Sequence, residues 1–183
     1  LLQGDVGSGK TLVAAAGIYL AALNGWQSAL MAPTEILAVQ HAENLQKTLA
    51  PFGLRVALLT GSMKAAAKKA ALAAIANGEA DLVVGTHAVL GTGVEFARLG
   101  LAIVDEQHRF GVRQRGQLAG KAGAPHLLVM SATPIPRTLS LLVYGDLDVS
   151  ILDELPPGRM PIKTYAVTGK KRRDMFAYLD KCI

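Results

Sequence analysis

Near its start the chain reads Gly4-Asp5-Val6-Gly7-Ser8-Gly9-Lys10-Thr11, which matches the phosphate-loop pattern G-x-x-x-x-G-K-[ST] at every fixed position. Glycines let the backbone turn its N–H groups inward around phosphate oxygens, and the helix that begins near Lys10 adds the positive end of its dipole. Lys10 is placed to neutralise the β and γ phosphates, and Thr11 to offer a hydroxyl to Mg²⁺. We therefore expect these residues to form a nucleotide-binding loop.

Downstream of this loop, short apolar segments alternate with longer segments of helical period, a pattern typical of repeated β-α units with parallel strands. The predicted strands are 28–31, 55–59, 82–85, 101–105 and 126–130, and the predicted helices are 10–23, 36–50, 65–77 and 113–120. The sequence therefore predicts an α/β fold with a doubly wound, mostly parallel sheet. Ligands of such sheets bind outside the carboxyl ends of the strands, so functional residues are expected directly after each strand.

A second motif is the apolar segment 101–104, which ends in two adjacent carboxylates, Asp105 and Glu106. At the carboxyl end of a strand, Asp105 can hold Mg²⁺ through water, because Mg²⁺ keeps several waters and takes one or two carboxylates. Glu106 is then available to orient and deprotonate an attacking water. Such a pair taken alone is more often a solvated turn, but together with the phosphate loop it favours a catalytic function.

The composition excludes two classes of protein. Hydrophobic residues make up 51% of the chain and charged residues 18%, so it is not a disordered, charge-rich segment. The longest apolar run of helical character, residues 12–23, is shorter than the roughly 20 residues that cross a bilayer, so we expect no membrane contact. The single cysteine, Cys182, excludes an internal disulfide and a cysteine-based zinc cluster, and the cytoplasm is the expected location.

The chain carries a net charge of +5, which suits a polyanionic partner such as nucleic acid. A solvated basic surface explains this charge equally well. The basic run 170–173 is in the same position, because the start of a solvated helix accounts for it better than a phosphate contact.

Residues 153–161 contain three prolines and a glycine, which exclude a helix or a central strand and indicate a linker. Beyond it, the sequence predicts a strand over 162–167 and a helix over 172–182. We therefore expect a first lobe over 1–152 with a truncated first strand, an interlobe linker over 153–161, and the beginning of a second lobe over 162–183. Because no initiating Met is present and the phosphate loop follows the first residues at once, we expect the chain to be a piece of a longer protein.

The tetrad Asp105-Glu106-Gln107-His108 resembles the DExH signature of superfamily 2 helicases and translocases. Four further segments, each after a predicted strand, resemble helicase motifs Ia, Ib, Ic and III in the usual order. They are Pro33-Thr34-Glu35, Thr60-Gly61-Ser62, Gly85-Thr86-His87 and Ser131-Ala132-Thr133. Each triplet alone is explained equally well by the chemistry of turns, whereas the ordered set is specific.

The longer strings 3–11, 31–35, 105–112, 132–139 and 153–159 together resemble the RecG family of bacterial ATP-dependent DNA helicases, from end to end of the chain. The transcription-repair coupling factor Mfd shares the strings around His108 and Arg137, but it usually has Glu where Gln107 stands and lacks this form of linker. One departure from the RecG pattern is Ser131, which stands where that family commonly has Thr and keeps the hydroxyl.

The resemblance implies a RecA-like P-loop NTPase lobe that uses ATP with Mg²⁺ and acts on forked or branched DNA in the bacterial cytoplasm, at the nucleoid. It also implies that the adenine-contacting segment and a fork-binding wedge domain lie upstream, and that a second motor lobe with an arginine finger lies downstream. By the same resemblance, the expected contacts to the DNA backbone are Thr34, Thr60, Gly61 and Thr86. Residues expected to couple the nucleotide to DNA are Gln107, His108, Ser131, Thr133 and Arg137.

Other interpretations of these residues remain open. Helix caps and turns use the same hydroxyls, His108 can be a packed loop residue, and Arg137 can pair with a carboxylate. For the protein as a whole, the alternatives are a P-loop ATPase that remodels protein or RNA, and a nucleotide-binding regulatory module without turnover. We expect the chain alone to bind Mg·ATP weakly and hydrolyse it poorly, and the intact protein to be a DNA-stimulated ATPase.

Overall fold

The computed structural model describes residues 1–91, 93–105, 125–132, 148–154, 164, 166 and 168–182. The strands in this part of the chain are β1 (Leu2–Gly4), β2 (Gln27–Met31), β3 (Val56–Leu59), β4 (Leu82–Gly85), β5 (Leu99–Asp105), β6 (His126–Ser131) and β7 (Ser150–Leu152). The helices described there are α1 (Lys10–Leu23), α2 (Glu35–Leu49), α3 (Ala65–Ala76) and α4 (Arg172–Cys182). Short 3₁₀ turns lie at Ala50–Phe52, His87–Leu90 and Gly169–Lys171.

The seven described strands form one sheet in the order β3-β4-β2-β5-β6-β1-β7. Every pair of neighbours among them is parallel. Parallel neighbours require crossover connections, which helices α1, α2 and α3 provide. The predicted α/β fold with a doubly wound sheet is confirmed.

Two hydrophobic cores lie on opposite faces of the sheet. Leu30 and Ile103 belong to a core that includes buried residues of α1 and α2. Their strand neighbours Met31 and Val104 belong to a second core, which includes Ile75 of α3. Successive residues of a strand point to opposite faces, so one continuous apolar strand supplies both cores. Each fully buried side chain of this size contributes about 1.5–3 kcal/mol relative to an exposed one.

Helix boundaries follow local capping chemistry. Helix α1 has the predicted bounds. Helix α2 begins at Glu35, one residue before the prediction, because the side chain of Thr34 caps it by accepting a hydrogen bond from the Leu37 N–H at 3.3 Å. A capping hydroxyl satisfies one of the N–H groups that a helix leaves unpaired at its start.

Within residues 1–152, the predicted strands agree with the structure to within one residue at each end, except at two places. Strand β5 begins at Leu99, two residues early, because Leu99 already pairs with Gln27 ahead of an irregularity in the register. Strand β7 lies within a segment for which no strand was predicted, and its three residues pair with β1. A strand of three residues, of which Ser150 and Ile151 are exposed, is too short to show a period in the sequence.

Part of the predicted organisation falls on residues that the structure does not describe. The predicted helix 113–120 lies outside the described residues, as do 155–161 of the predicted linker. Residues 164 and 166, which are described, are not in a strand, although 162–167 was predicted as one; no described strand pairs with them. Helix α4 has the predicted bounds of 172–182.

Candidate functional site

The loop between β1 and α1 has the backbone of an anion-binding turn. Gly7 and Gly9 have φ angles of 83° and 95°, in the left-handed region that favours glycine. Gly9 is the N-cap of α1, whose first turn contains no acidic residue. Within the loop, the Ser8 N–H donates to the Asp5 carbonyl at 3.1 Å, and Asp5 Oδ1 accepts from the N–H of the exposed Val6 at 2.7 Å. The positive end of α1 is therefore left for an anion at this loop.

Lys10 is folded back over this loop. Its Nζ donates to the carbonyl oxygens of Gly4 at 2.8 Å and of Asp5 at 2.9 Å. An ammonium group has three donors, so the loop orients the group through two of them. Thr11 follows as the second residue of α1 and is half-buried beside it. Lys10 and Thr11 thus lie where a phosphate held by the loop N–H groups would meet a positive charge and a hydroxyl.

Ser8, within this loop, has a buried hydroxyl, Oγ, that no described residue hydrogen-bonds. A Cβ built on Gly4 would lie 2.4 Å from that oxygen and 2.9 Å from the Leu152 Cβ, so only glycine fits at this position. The Ser8 hydroxyl, the backbone N–H groups of the glycine-rich turn and the Lys10 ammonium group form a donor set that suits a phosphate. The residues present therefore fit a nucleotide phosphate chain.

Asp105 lies at the same edge of the sheet as this loop. We call this the carboxyl edge; it is where β1, β5 and β6 end at Gly4, Asp105 and Ser131. The register pairs Asp105 with Met130 and Met130 with Leu2, so β6 alone separates β5 from β1. Two interstrand spacings amount to about 10 Å. Asp105 and, at the start of α1, Thr11 would be the protein residues that hold Mg²⁺ here, with water completing its coordination.

Asp105 also has a partner that the sequence analysis did not identify. His41 of α2 places its Nε2 atom 2.7 Å from Asp105 Oδ2, and the two side chains are 14% and 13% exposed. His41 lies in the helical stripe that also contains the buried Ala38, Leu45 and Leu49. A histidine on the apolar stripe of a helix is the only signal in the sequence, and it does not say which residue the ring contacts.

The four candidate DNA contacts lie at the carboxyl edge, after three adjacent strands. Thr34 is exposed and follows β2, whereas Thr60 is buried and Gly61 exposed in the loop after β3. The Thr60 N–H donates to Met63 Sδ at 3.3 Å, and Thr60 Oγ lies 3.5 Å from the Ser62 hydroxyl. Thr86 follows β4 and precedes the turn His87–Leu90. Strands β3, β4 and β2 are neighbours, so these loops form one continuous row.

The expected coupling residues are only partly described. Ser131, the last residue of β6, is fully buried and pairs in register with Gln3. The other expected coupling residues lie outside the described residues; they are Gln107, His108, Thr133 and Arg137. The expected base, Glu106, lies outside them as well.

Two kinds of feature are absent from the part of the chain that the structure describes. No group of three or more His, Cys, Asp or Glu side chains is placed to hold a metal ion among these residues. No helix in the described part of the chain has the length and apolar character needed to span a membrane.

Comparisons with known proteins agree with this architecture. The family model described as DEAD/DEAH box helicase matches residues 1–142. The ATP-dependent DNA helicase RecG of Streptococcus pneumoniae is 56% identical over 180 residues, which cover 98% of this chain and 26% of that protein. RecG of Escherichia coli is 52% identical over 179 residues, which cover 96% and 26%. The chain thus spans about a quarter of the length of these relatives.

Solved structures show the same similarity. A structure titled as RecG bound to a three-way DNA junction has a TM-score of 0.80 and 42% identity, and the match covers 97% of this chain and 24% of that one. A hypothetical ATP-dependent RNA helicase from Sulfolobus tokodaii, at 20% identity and a TM-score of 0.63, shows the fold alone. The resemblance to RecG that the motifs predict is confirmed. The chain belongs to the DEAD/DEAH box helicase family.

Proposed function

We propose that the chain is the first ATP-binding lobe of a RecG-like DNA motor. The complete protein would hydrolyse ATP with Mg²⁺ to drive translocation on double-stranded DNA and to remodel replication forks and recombination junctions in the bacterial cytoplasm. In this proposal, residues 1–152 form the RecA-like lobe, 153–161 the interlobe linker and 162–183 the beginning of the second lobe. The similarity to RecG proteins over nearly the whole chain supports this assignment.

One observation carries the proposal: the carboxyl edge is divided between two groups of loops. The phosphate loop follows β1, and the acidic Asp105 ends β5. The hydroxyl-bearing loops follow β2, β4 and β3, which form the other half of the sheet, and they lie at the same carboxyl edge. A nucleotide and a nucleic-acid backbone can therefore bind side by side on the same lobe. Such an arrangement suits an enzyme that couples the state of one ligand to contacts with the other.

The nucleotide half is suited to phosphoryl transfer. The loop N–H groups and Lys10 would hold the phosphates, while Thr11 and Asp105 would hold Mg²⁺. Mg²⁺, when bound, would supply positive charge that neutralises the charge developing on the phosphates. Glu106, next to Asp105 in the chain, would accept a proton from the attacking water. These roles are positional and electrostatic, which is what this reaction requires of a protein.

The other half is suited to a sugar-phosphate backbone. Thr34, Gly61 and Thr86 would contribute hydroxyl and N–H donors to phosphate oxygens, contacts that carry no sequence information. Thr60, which is buried, would act by holding the loop that carries Gly61. A further set of residues would couple the nucleotide state to these DNA contacts. They are Ser131, Gln107, His108, Thr133 and Arg137. A motor that moves along DNA needs contacts of this kind, because it must bind every sequence in turn.

The experiment that tests the proposal is the ATPase activity of a full-length polypeptide that carries this chain, measured on forked DNA, linear duplex DNA, single-stranded DNA and RNA. We expect the largest stimulation with forked duplex DNA. The 183-residue chain alone should bind Mg·ATP weakly and show little turnover, because an arginine finger from a second lobe is worth about 10³–10⁵ in rate. Stimulation by RNA only, or strong DNA-dependent turnover by the chain alone, would contradict the proposal.

A further inference from the structure

We propose that His41 is a positioning residue that holds the Asp105 carboxylate in the orientation needed to bind Mg²⁺. The inference rests on the proposed function, in which Asp105 is a ligand of the magnesium ion. It assigns a role to a helix residue that lies outside the phosphate loop, the acidic tetrad and the DNA-contact loops.

The hydrogen bond between the two side chains fixes the direction of the carboxylate. His41 Nε2 lies 2.7 Å from Asp105 Oδ2, and because an ionised carboxylate can only accept, this hydrogen bond requires the His41 tautomer with its N–H at Nε2. Hydrogen bonds to an ionised group are about twice as strong as those between neutral groups. The bond uses one carboxylate oxygen, so Oδ1 can accept from a water of the metal. Without His41, the carboxylate could rotate about its χ angles, and the metal-facing oxygen would lose its fixed direction.

The surroundings of His41 hold the imidazole ring in turn. Helix α2 places His41 one turn from the buried Ala38 and one turn from the buried Leu45. Both of these neighbours belong to the core on the α1 and α2 face of the sheet. The ring is therefore carried by a helix that the core packing fixes, not by a mobile loop. A side chain on a rigid element positions its partner more accurately than one on a loop.

Partners of metal ligands commonly have this arrangement, and their removal typically costs 10- to 100-fold in metal affinity or activity. In those sites a histidine usually binds the metal and a carboxylate orients it. Here the roles are exchanged, because the carboxylate lies at the carboxyl edge and the histidine lies behind it on α2. The physical consequence is the same: the ligand reaches the metal already oriented, and less conformational entropy is lost on binding.

Three substitutions separate this role from a purely structural one. His41→Leu fills the space without a donor, and His41→Ala serves where the leucine variant does not fold. His41→Gln keeps an N–H donor close to the position of Nε2. Gln40→Leu is the matched control, because Gln40 is an exposed neighbour on the same helix.

The measurement is the affinity for Mn²⁺, in the presence of ADP, of a full-length polypeptide that carries this chain, followed by the electron paramagnetic resonance signal of free Mn²⁺. Thermal unfolding of each variant is recorded in parallel. We expect His41→Leu, or His41→Ala in its place, to weaken Mn²⁺ binding about 10- to 100-fold. We expect His41→Gln to recover most of that loss and Gln40→Leu to match the wild-type chain. Binding of ADP in the presence of EDTA should be the same in all variants.

Unchanged or tighter Mn²⁺ binding by folded His41→Leu or His41→Ala would overturn the inference; tighter binding would mean that His41 competes with the metal for Asp105. Failure of His41→Gln to recover affinity would also overturn it. Asp105→Asn separates these results from a failure of the proposed function. If Asp105→Asn leaves Mn²⁺ affinity unchanged, or if the wild-type full-length polypeptide binds no metal with ADP, the proposed magnesium site itself is wrong.

Discussion

Glu35 accepts two hydrogen bonds from Ser62, which joins the first turn of α2 to the loop after β3. The Ser62 N–H donates to Oε1 at 3.1 Å, and the Ser62 hydroxyl donates to Oε2 at 2.5 Å. Strand β4 lies between β2 and β3, so this contact spans two interstrand spacings, about 10 Å. The contact fixes two of the candidate DNA-binding loops, those of Thr34 and Gly61, relative to each other before any DNA is bound.

The Ser62 hydroxyl, and after it the Ser62 N–H, lowers the pKa of Glu35 from its ordinary value of 4.5. Desolvation opposes these effects and the Gly61 N–H adds to them. A carboxylate with a lowered pKa in the folded state stabilises the protein above its unfolded pKa, and this contribution is lost as the pH falls through the folded value. The free energy of unfolding should therefore contain a term from Glu35 that is complete above about pH 4.5 and disappears below it.

Glu35→Gln tests this term, because the amide does not titrate in the same range. The difference in free energy of unfolding between wild type and Glu35→Gln should be largest from pH 5 to 7 and shrink as the pH falls below 4.5, about the ordinary value of the group. Urea unfolding across this pH range measures it. Glu43→Gln, at an exposed position of the same helix, controls for the loss of one negative charge. A difference that is the same at every pH would show that the Ser62 contact does not depend on the charge of Glu35.

Lys10→Ala should remove ATP turnover in a full-length polypeptide that carries this chain. The change deletes an ammonium group that the carbonyls of Gly4 and Asp5 hold in place. Removing one preorganised donor from a site of this kind costs about 100-fold or more in kcat. Steady-state ATPase assays with saturating DNA measure the loss, and Lys68→Ala, at an exposed position of α3, is the control. Turnover within threefold of wild type would remove Lys10 from the phosphate site.

Glu106→Gln should separate nucleotide binding from hydrolysis. The amide is close in size to the carboxylate but cannot accept a proton from water, so the chemical step stops while the phosphate loop is intact. Binding of a fluorescent ATP analogue should change by less than about threefold, whereas ATPase activity should fall by at least 100-fold, the lower part of the range for general-base groups. Unchanged steady-state hydrolysis would exclude Glu106 as the base.

Gly4→Ala and Gly17→Ala form a pair with opposite expected effects. At Gly4, a Cβ would meet Ser8 Oγ at 2.4 Å and Leu152 Cβ at 2.9 Å, so we expect a loss of about 1–3 kcal/mol in the free energy of unfolding. At Gly17, within α1, the Cβ would meet Leu101 Cδ2 at an ordinary 3.4 Å, and the gain in helix propensity should be about 0.5–1 kcal/mol. Chemical denaturation of both variants measures the two signs. A neutral Gly4→Ala would mean that the loop can open at its base.

Binding of the full-length protein to forked duplex DNA should depend steeply on salt. Contacts to phosphates release counterions, so log K should fall linearly with log salt concentration, with a slope near −0.9 for each phosphate neutralised. Fluorescence anisotropy at a series of KCl concentrations measures the slope. A flat response would indicate that the positive charge of the chain is a solvated surface without a role in DNA binding.

Much of the fold and the nucleotide loop could be predicted because local sequence controls them. The bounds of α1 follow from the glycine turn before Lys10 and from Asn24 and Gly25 after Leu23, which are short-range signals. The apolar run before Asp105 identifies a buried parallel strand for the same reason. Strand β7 could not be predicted, since its three residues, two of them exposed, acquire a strand conformation only by pairing with β1.

The sequence by itself predicted the glycine-rich turn between β1 and α1, the strand that ends at Asp105, and a sheet of mostly parallel strands. These properties depend on backbone preferences and periodicity within one element. Only the tertiary structure decided that His41 contacts Asp105, 64 residues away, and that Glu35 contacts Ser62, 27 residues away. Both contacts depend on the strand order β3-β4-β2-β5. This order is set by packing between elements that are distant in the sequence, so no single segment of the sequence contains a pattern that predicts it.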